Sequence, residues 1–317
     1  MKKKIILTVL LLAGVAMLLS LSVFRHYYSK LAVNSEKLST IEFFKQFTDL
    51  GSNGVVNILL VGVDNDNADG LNDQGNADGL MVLSICPEKK QIALTSLMRD
   101  IRVQVPDSYK TKLTLTYHFG GMDELIRSVE YNFGIQIDAY VMVNYLSVID
   151  IVDAVGGIDV VLTADEAYWM APKIENLCEL TGTSYDDNRL GVSEGPVTLN
   201  GIQTAAYLRI RYAGNGDFDR TGRARDVVMA LKDKASQMNL SQLDRLAGVV
   251  LPCINTDLSQ AEMLKLITLA PAMLKYNFVS ERIPVEGSFW LTNDENGSFV
   301  DIDFETNRKF LQNLLFD

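Results

Sequence analysis

The chain has 317 residues, with 29 Lys and Arg against 40 Asp and Glu and a formal net charge of −11 at pH 7. Its first 30 residues hold five of the basic side chains and no acid, which leaves residues 31–317 with 24 basic against 40 acidic groups, a net of −16. A domain this acidic repels nucleic acid on average, so no nucleic-acid partner is expected.

Met1-Lys2-Lys3-Lys4 precedes the uncharged run Ile5 to Phe24, whose 20 residues suffice to cross a bilayer as a helix. Three lysines before the run, and only Arg25 and Lys30 soon after it, place the N-terminus in the cytoplasm and the remainder outside. The run is longer than a signal-peptide core and no A-x-A-like site follows, so it is expected to stay as an anchor. Residues 1–30 are thus read as a cytoplasmic start and single transmembrane helix, and residues 31–54 as a stalk with a short amphipathic stretch, Thr40–Leu50. Residues 55–317 are read as one extracytoplasmic domain with its motif core at about 55–230.

Within that domain, Val55–Val63 reads as a buried strand, rich in β-branched residues and bounded by Gly and Asp. A polar loop leads to a second strand, Leu80–Ile85, and after the turn at Pro87–Lys90 to a third, Ile92–Leu97. Helical spacing covers Met122–Phe133, with Gly134 as its C-cap. Ile137–Val143 is strand-like, Leu146–Val155 a short helix stopped by Gly156-Gly157, and Ile158–Leu162 another strand. Residues 163–198 are rich in Asp, Glu, Gly and Thr and read as an insertion or lid-like loop. The pattern then gives a helix at Asn200–Ala206, a strand at Tyr207–Tyr212, a glycine loop and a long helix at Thr221–Met238. Helices at 258–275 and 303–316 finish the chain. Strands alternating with helices predict the α/β class, an α-β-α sandwich with a central mixed sheet. Cys86, Cys178 and Cys253 have no metal-ligand spacing, and Cys86, inside an apolar run, is expected as a buried thiol.

Three constellations carry chemistry. Asp64 ends one strand and Asp78 begins the next, so their carboxylates can converge on one hard cation such as Mg²⁺, which takes one or two protein carboxylates plus phosphate oxygens. Solvated turn residues are the plain alternative, and a Ca²⁺ loop is a weaker one. Asn65-x-Asn67-x-Asp69-Gly70 echoes an EF-hand start, but Asn76 stands where Glu is required and strands flank the loop. The stretch 205–225 holds Arg209, Arg211, Arg220, Arg223 and Arg225 against only Asp217 and Asp219. Arg209 and Arg211 share a face if they lie on a strand, as do Arg220 and Arg223 at a helix start. Clustered guanidinium groups beside a helix N-terminus suit phosphate or pyrophosphate, although surface pairing with the two aspartates would leave them ordinary charges. Arg99 follows an apolar strand, where open α/β sheets present ligand groups. No P-loop, Gly-x-Ser-x-Gly elbow or His-Glu-x-x-His is present, and the only histidines are His26 and His118.

The blocks NILLVGVD (57–64), NADGLMVLSI (76–85), QIALTSLMRDIRVQVP (91–106), KLTLTYHFGG (112–121), 134–162 and LNGIQTAAYLRIRYAGNGDFDRTGRAR (199–225), in this order, resemble the LytR-CpsA-Psr domain. The resemblance implies a membrane-anchored phosphotransferase that moves a glycopolymer from a polyprenyl-pyrophosphate carrier to a peptidoglycan hydroxyl, with Mg²⁺ or Mn²⁺ as cofactor. By position it implies Asp64 and Asp78 as metal ligands and Arg99 with Asp78 as catalytic residues. It also implies that Arg99, Arg209, Arg211, Arg220 and Arg223 hold the pyrophosphate, and that a hydrophobic groove takes the lipid tail. Three positions depart from the family pattern: Asn76 replaces an arginine, Met98 a proline and Ala224 a glutamine, while Arg225 stands one residue further on. Two other functions fit the same residues: a non-catalytic binder of polyprenyl-phosphate lipids, and a Ca²⁺-stabilised adhesive or regulatory surface protein.

Overall fold

The computed structural model describes residues 32–33, 54–64, 75–214, 217–259, 273, 276–295 and 297–317. The expected membrane span, the Thr40–Leu50 stretch, the loop at 65–74 and nearly all of the helix expected at 258–275 lie outside the described residues. No helix among the described residues is long and apolar enough to cross a membrane.

A seven-stranded mixed sheet organises the domain, in the order β1 (Ala32–Val33), β10 (Asn255–Thr256), β7 (Ala139–Asn144), β2 (Val56–Val63), β3 (Ala77–Cys86), β4 (Gln91–Leu97), β11 (Asn277–Ile283). β2 runs parallel to β7 and antiparallel to β3; β4 is antiparallel to β3 and parallel to β11. Side chains alternate along β2, as the period of a strand requires. Leu59, Val61 and Val63 enter the main core with α1 (Leu113–Phe133) and α8 (Phe304–Phe316), through Leu125, Val129, Phe133, Leu311 and Leu315. Leu60 and Gly62 face the other side, toward α2 (Tyr145–Ala154), α6 (Asp217–Ser236) and α7 (Leu240–Val250). Helices therefore cover both faces, as the alternation of elements predicted. Cys86 is buried, and burial raises its thiol pKa.

Four expectations are corrected. Residues 163–198 are not a lid-like loop. They fold as α3 (Ala164–Thr181), the single turn α4 (Tyr185–Asn188) and β9 (Gly195–Leu199), which pairs antiparallel with β8 (Ile158–Leu162). A capping box between Thr163 and Glu166 starts α3, Gly182 in the left-handed region ends it, and Ala167, Met170, Ile174, Leu177 and Cys178 supply a helically spaced buried face. The acidic residues on the opposite face obscured that stripe. Tyr207–Tyr212 is not a strand: α5 (Gly201–Leu208), capped by Asn200 with Gln203, continues through Leu208, and residues 209–214 are irregular. The alternating Leu-Arg-Ile-Arg-Tyr imitates a strand period but lies across the end of a buried helix. α1 begins at Leu113, nine residues before the expected start, and absorbs a break at Gly121 (φ 68°, ψ −160°). α6 begins at Asp217, so Arg220 and Arg223 lie beyond its first residues.

The remaining short strands form hairpins at the sheet's margin. β5 (Arg102–Gln104) pairs with β6 (Lys110–Lys112), and β12 (Phe289–Asp294) with β13 (Gly297–Ile302). A second core joins α2, α3, α5, α6 and the β8–β9 pair through Val152, Met170, Ala205, Val227, Ile158 and Leu199.

Candidate active site

The site begins with a register shift. Gly62 pairs with Gly79 but Val63 pairs with Ala77, so Asp78 is an extra residue in β3, a β-bulge. A bulge re-aims a side chain. Ala77 takes the place in the main core that strict alternation would have given to residue 78, and Asp78 turns to the opposite face at the edge of a cavity. Asp64 follows β2 directly, and its N–H donates to the carbonyl of Asn76 (3.0 Å), which closes the base of the loop.

Three arginines meet on Asp78, which is 9% exposed. Arg99, in the turn after β4, places Nη1 2.8 Å from Asp78 Oδ1 and Nε 3.4 Å from Asp100 Oδ2. Its backbone carbonyl accepts from the N–H of Thr114 (3.0 Å), which fixes the turn against α1. Arg220 of α6 is buried: Nη1 lies 3.5 Å from Asp78 Oδ2, and Nη2 donates to the Asp78 carbonyl (2.8 Å). Arg211 is half-exposed, and its Nη2 lies 3.6 Å from both Asp64 Oδ2 and Asp78 Oδ2. Arg209 closes α5 and sets its guanidinium 5.0 Å from the centre of the Tyr145 ring.

Arg223 and Arg225 point elsewhere. Arg223 is buried, donates to the carbonyl of Ile210 (2.8 Å) and pairs with Glu166 of α3 (3.4 Å). It therefore braces the irregular segment that carries Arg209 and Arg211. Arg225 donates to Ser96 Oγ on β4 and does not reach the Asp78 group. Asn76 is exposed and brings no charge to the site. In the same segment Gly214 has φ +67°, and a Cβ there would meet the carboxylate of Asp219. The left-handed backbone of this turn favours glycine.

Tyr145 was not singled out by its sequence pattern. It opens α2 directly after β7 and lines the cavity rim. Burial, then the negative charges of Asp78 and Asp64, push its phenol up to about 12, so it stays a neutral hydroxyl donor across the physiological range. A strand-to-helix junction with Asn144 as N-cap was the only sequence signal for its position.

Behind this rim lies a cavity of ≈ 310 Å³ between the sheet and α2, α6 and α7, with walls including Leu60, Val143, Val148, Ala224, Val228 and Val250. Gly62 and Gly79 face each other in its floor, and a Cβ on either would approach the other's backbone at 3.6 Å. Their missing side chains open the sheet face directly beside Asp78. The arrangement is an apolar chamber whose mouth carries two carboxylates and a ring of guanidinium groups. Asp64 Oδ2 and Asp78 Oδ2 converge on one cationic centre, the half-exposed Arg211 Nη2, so the same two hard oxygens could hold a cation such as Mg²⁺.

The model of the LytR_cpsA_psr family matches residues 21–312. The polyisoprenyl-teichoic acid–peptidoglycan teichoic acid transferase TagU of Enterococcus faecalis is 32% identical over 225 residues, 70% of this chain and 68% of that protein. TagV of Bacillus subtilis, which carries the same transferase description, is 29% identical over 80% of this chain and 63% of its own length. This chain thus spans about two thirds of the length of these relatives. The solved structure of the LytR-CPS2A-psr family protein YwtF (TagT) with bound octaprenyl pyrophosphate lipid has the same fold, with a TM-score of 0.61 at 20% identity over 90% of this chain and 96% of that one.

Proposed function

The chain belongs to the LytR_cpsA_psr family, and from that premise we propose that it joins a glycopolymer, carried on polyprenyl pyrophosphate, to a peptidoglycan hydroxyl through a phosphodiester bond. The convergence of Arg99, Arg211 and Arg220 on Asp78 at the mouth of an aliphatic cavity carries this reading. The cavity takes the start of the prenyl chain, and the guanidinium groups take the pyrophosphate. The acceptor hydroxyl oxygen attacks the phosphorus that bears the glycopolymer. The bond from that phosphorus to the bridging oxygen breaks, polyprenyl phosphate leaves with the electron pair, and the proton of the acceptor hydroxyl passes to water or to the departing phosphate. Arg99 and Arg220, fixed by their bonds to Asp78, stabilise the charge developing on that leaving group without reorganising. Mg²⁺, or Mn²⁺, held by Asp64 and Asp78, would supply further charge neutralisation on the pyrophosphate oxygens. In the same reading Ile5–Phe24 anchors the chain in the membrane and holds the domain outside the cytoplasm, where its lipid donor lies.

The exposed Asn76, with no charge beside Asp64 and Asp78, favours a second reading in which the chain binds the lipid without turning it over. Octaprenyl pyrophosphate binding and transfer separate the two. Arg211→Ala removes charge-assisted contacts worth about 1.5–3 kcal/mol and is expected to weaken binding roughly ten- to a hundredfold, with little change in melting temperature. Asn76→Arg is expected to tighten binding at low salt and to raise transfer. Tighter binding with no transfer in either protein would leave a lipid binder. No effect of either substitution on binding would remove the phosphate site.

A further inference from the structure

Beside the arginine cage stands an aromatic ledge. Tyr168 and Trp169 of α3 meet edge to face, with ring centres 5.3 Å apart, and Tyr212 stands 5.2 Å from Trp169 at a 47° tilt. Tyr168 and Tyr212 are each 71% exposed, while Trp169 also packs against the second core and holds the ledge in place. Two large rings kept this open to water, on a rigid base, mark a contact surface. The ledge is joined to the cage through the chain itself: Tyr212 follows Arg211, whose guanidinium reaches Asp64 and Asp78, and Arg223 ties Ile210 of this segment to Glu166, one turn before Trp169 and Met170 on α3.

We propose that Tyr168, Trp169 and Tyr212 hold the sugar rings of the acceptor, an undecorated peptidoglycan glycan strand, next to the pyrophosphate. This rests on the transferase reading above. The donor is already held by its lipid and its phosphates, whereas a glycan acceptor offers neither to the cavity or the cage. Pyranose rings have apolar C–H faces that stack on aromatic rings, and Tyr168 and Tyr212, both exposed, flank Trp169. Charge selects the acceptor over an anionic donor polymer. Besides Glu166, which is paired with Arg223, α3 carries Asp165, Glu175 and Glu179 against Lys173 alone, a field that repels a chain of phosphodiesters.

The test uses the full chain and three probes: peptidoglycan glycan strands solubilised by a muramidase, octaprenyl pyrophosphate, and a polyprenyl-pyrophosphate-linked glycopolymer. Tyr212→Ala and Tyr168→Ala, both at exposed positions, are expected to weaken strand binding about tenfold and to raise KM for the strand with kcat retained. Tyr212→Phe keeps the ring and is expected to behave as wild type. Binding of octaprenyl pyrophosphate is expected to be unchanged in all three variants. Wild-type strand affinity and KM in the double alanine variant would overturn the proposal. A loss confined to the glycopolymer-linked donor would also overturn it, by giving the ledge to the donor's sugar. If wild-type protein binds strands through the ledge but fails to bind octaprenyl pyrophosphate, the transferase reading falls and the glycan ledge stands.

Discussion

Asp78→Asn is expected to lower glycopolymer transfer about a hundred- to a thousandfold while the domain still folds. Asp78 is the hub of the site, facing Arg99 at 2.8 Å, Arg220 at 3.5 Å and Arg211 at 3.6 Å. Asparagine keeps the volume and the bulge, and Arg220 keeps its bond to the backbone carbonyl of residue 78, so the cage retains its shape. What changes is charge. Removing one member of a buried ion pair costs up to about 3–5 kcal/mol because its partners stay buried and uncompensated. A pyrophosphate supplies that compensation. The melting temperature of the variant is therefore expected to fall without ligand and to recover when octaprenyl pyrophosphate is added. In EDTA the variant is expected to bind this lipid at least as tightly as wild type, since a carboxylate no longer repels the phosphates. With Mg²⁺ at limiting concentration the order is expected to reverse for transfer, because on the proposed reading Asp78 is one of the two metal ligands. Wild-type transfer rates under that condition would remove Asp78 from the chemistry.

Ala224→Phe is expected to reduce affinity for long-chain polyprenyl pyrophosphate by about a hundredfold or more. Ala224 lies on the α6 wall of the ≈ 310 Å³ cavity, so a phenyl ring there fills space that the prenyl chain would otherwise occupy. At about 0.8 kcal/mol per buried methylene, excluding one five-carbon isoprene unit forfeits roughly 4 kcal/mol if burial is complete. The helix itself loses only about 0.5 kcal/mol of propensity, and the ring enters a void, so stability is expected to hold. Inorganic pyrophosphate, which uses the arginines alone, is expected to bind Ala224→Phe as it binds wild type. Titrating both ligands by calorimetry checks the contrast. Equal affinity of variant and wild type for the long-chain lipid would mean that the cavity does not receive it.

The strand frame was legible because its signals are local. β2, β3, β4, β7 and β8 each lie within a few residues of an apolar, β-branched run. Gly134 was readable as a C-cap and has the expected left-handed backbone, φ 68°, with its N–H on the Glu130 carbonyl. The errors arose where local pattern and tertiary context disagree. α3 hides a five-residue core stripe among acids, and α5 ends in a segment with a strand's alternation. The arginines were found by composition, but their sorting was not. Arg211 and Arg220 reach Asp78 while Arg223 turns to Ile210 and Glu166, and which way each points depends on where α6 starts and how 209–214 turns. The bulge that turns Asp78 outward is a property of pairing between β2 and β3, and no single strand's sequence records it. Tyr145 and the aromatic ledge were missed for the same reason, since their partners come from distant elements.

Transfer with loss of polyprenyl phosphate is tested most directly by the fate of the lipid. The purified chain is incubated with a polyprenyl-pyrophosphate-linked glycopolymer, peptidoglycan strands and Mg²⁺, and the lipid products are separated and counted. One polyprenyl monophosphate released for each polymer joined to a strand is the expected result, lost in Asp78→Asn. Lipid bound by the wild-type chain and recovered entirely as the intact pyrophosphate-linked donor would contradict it.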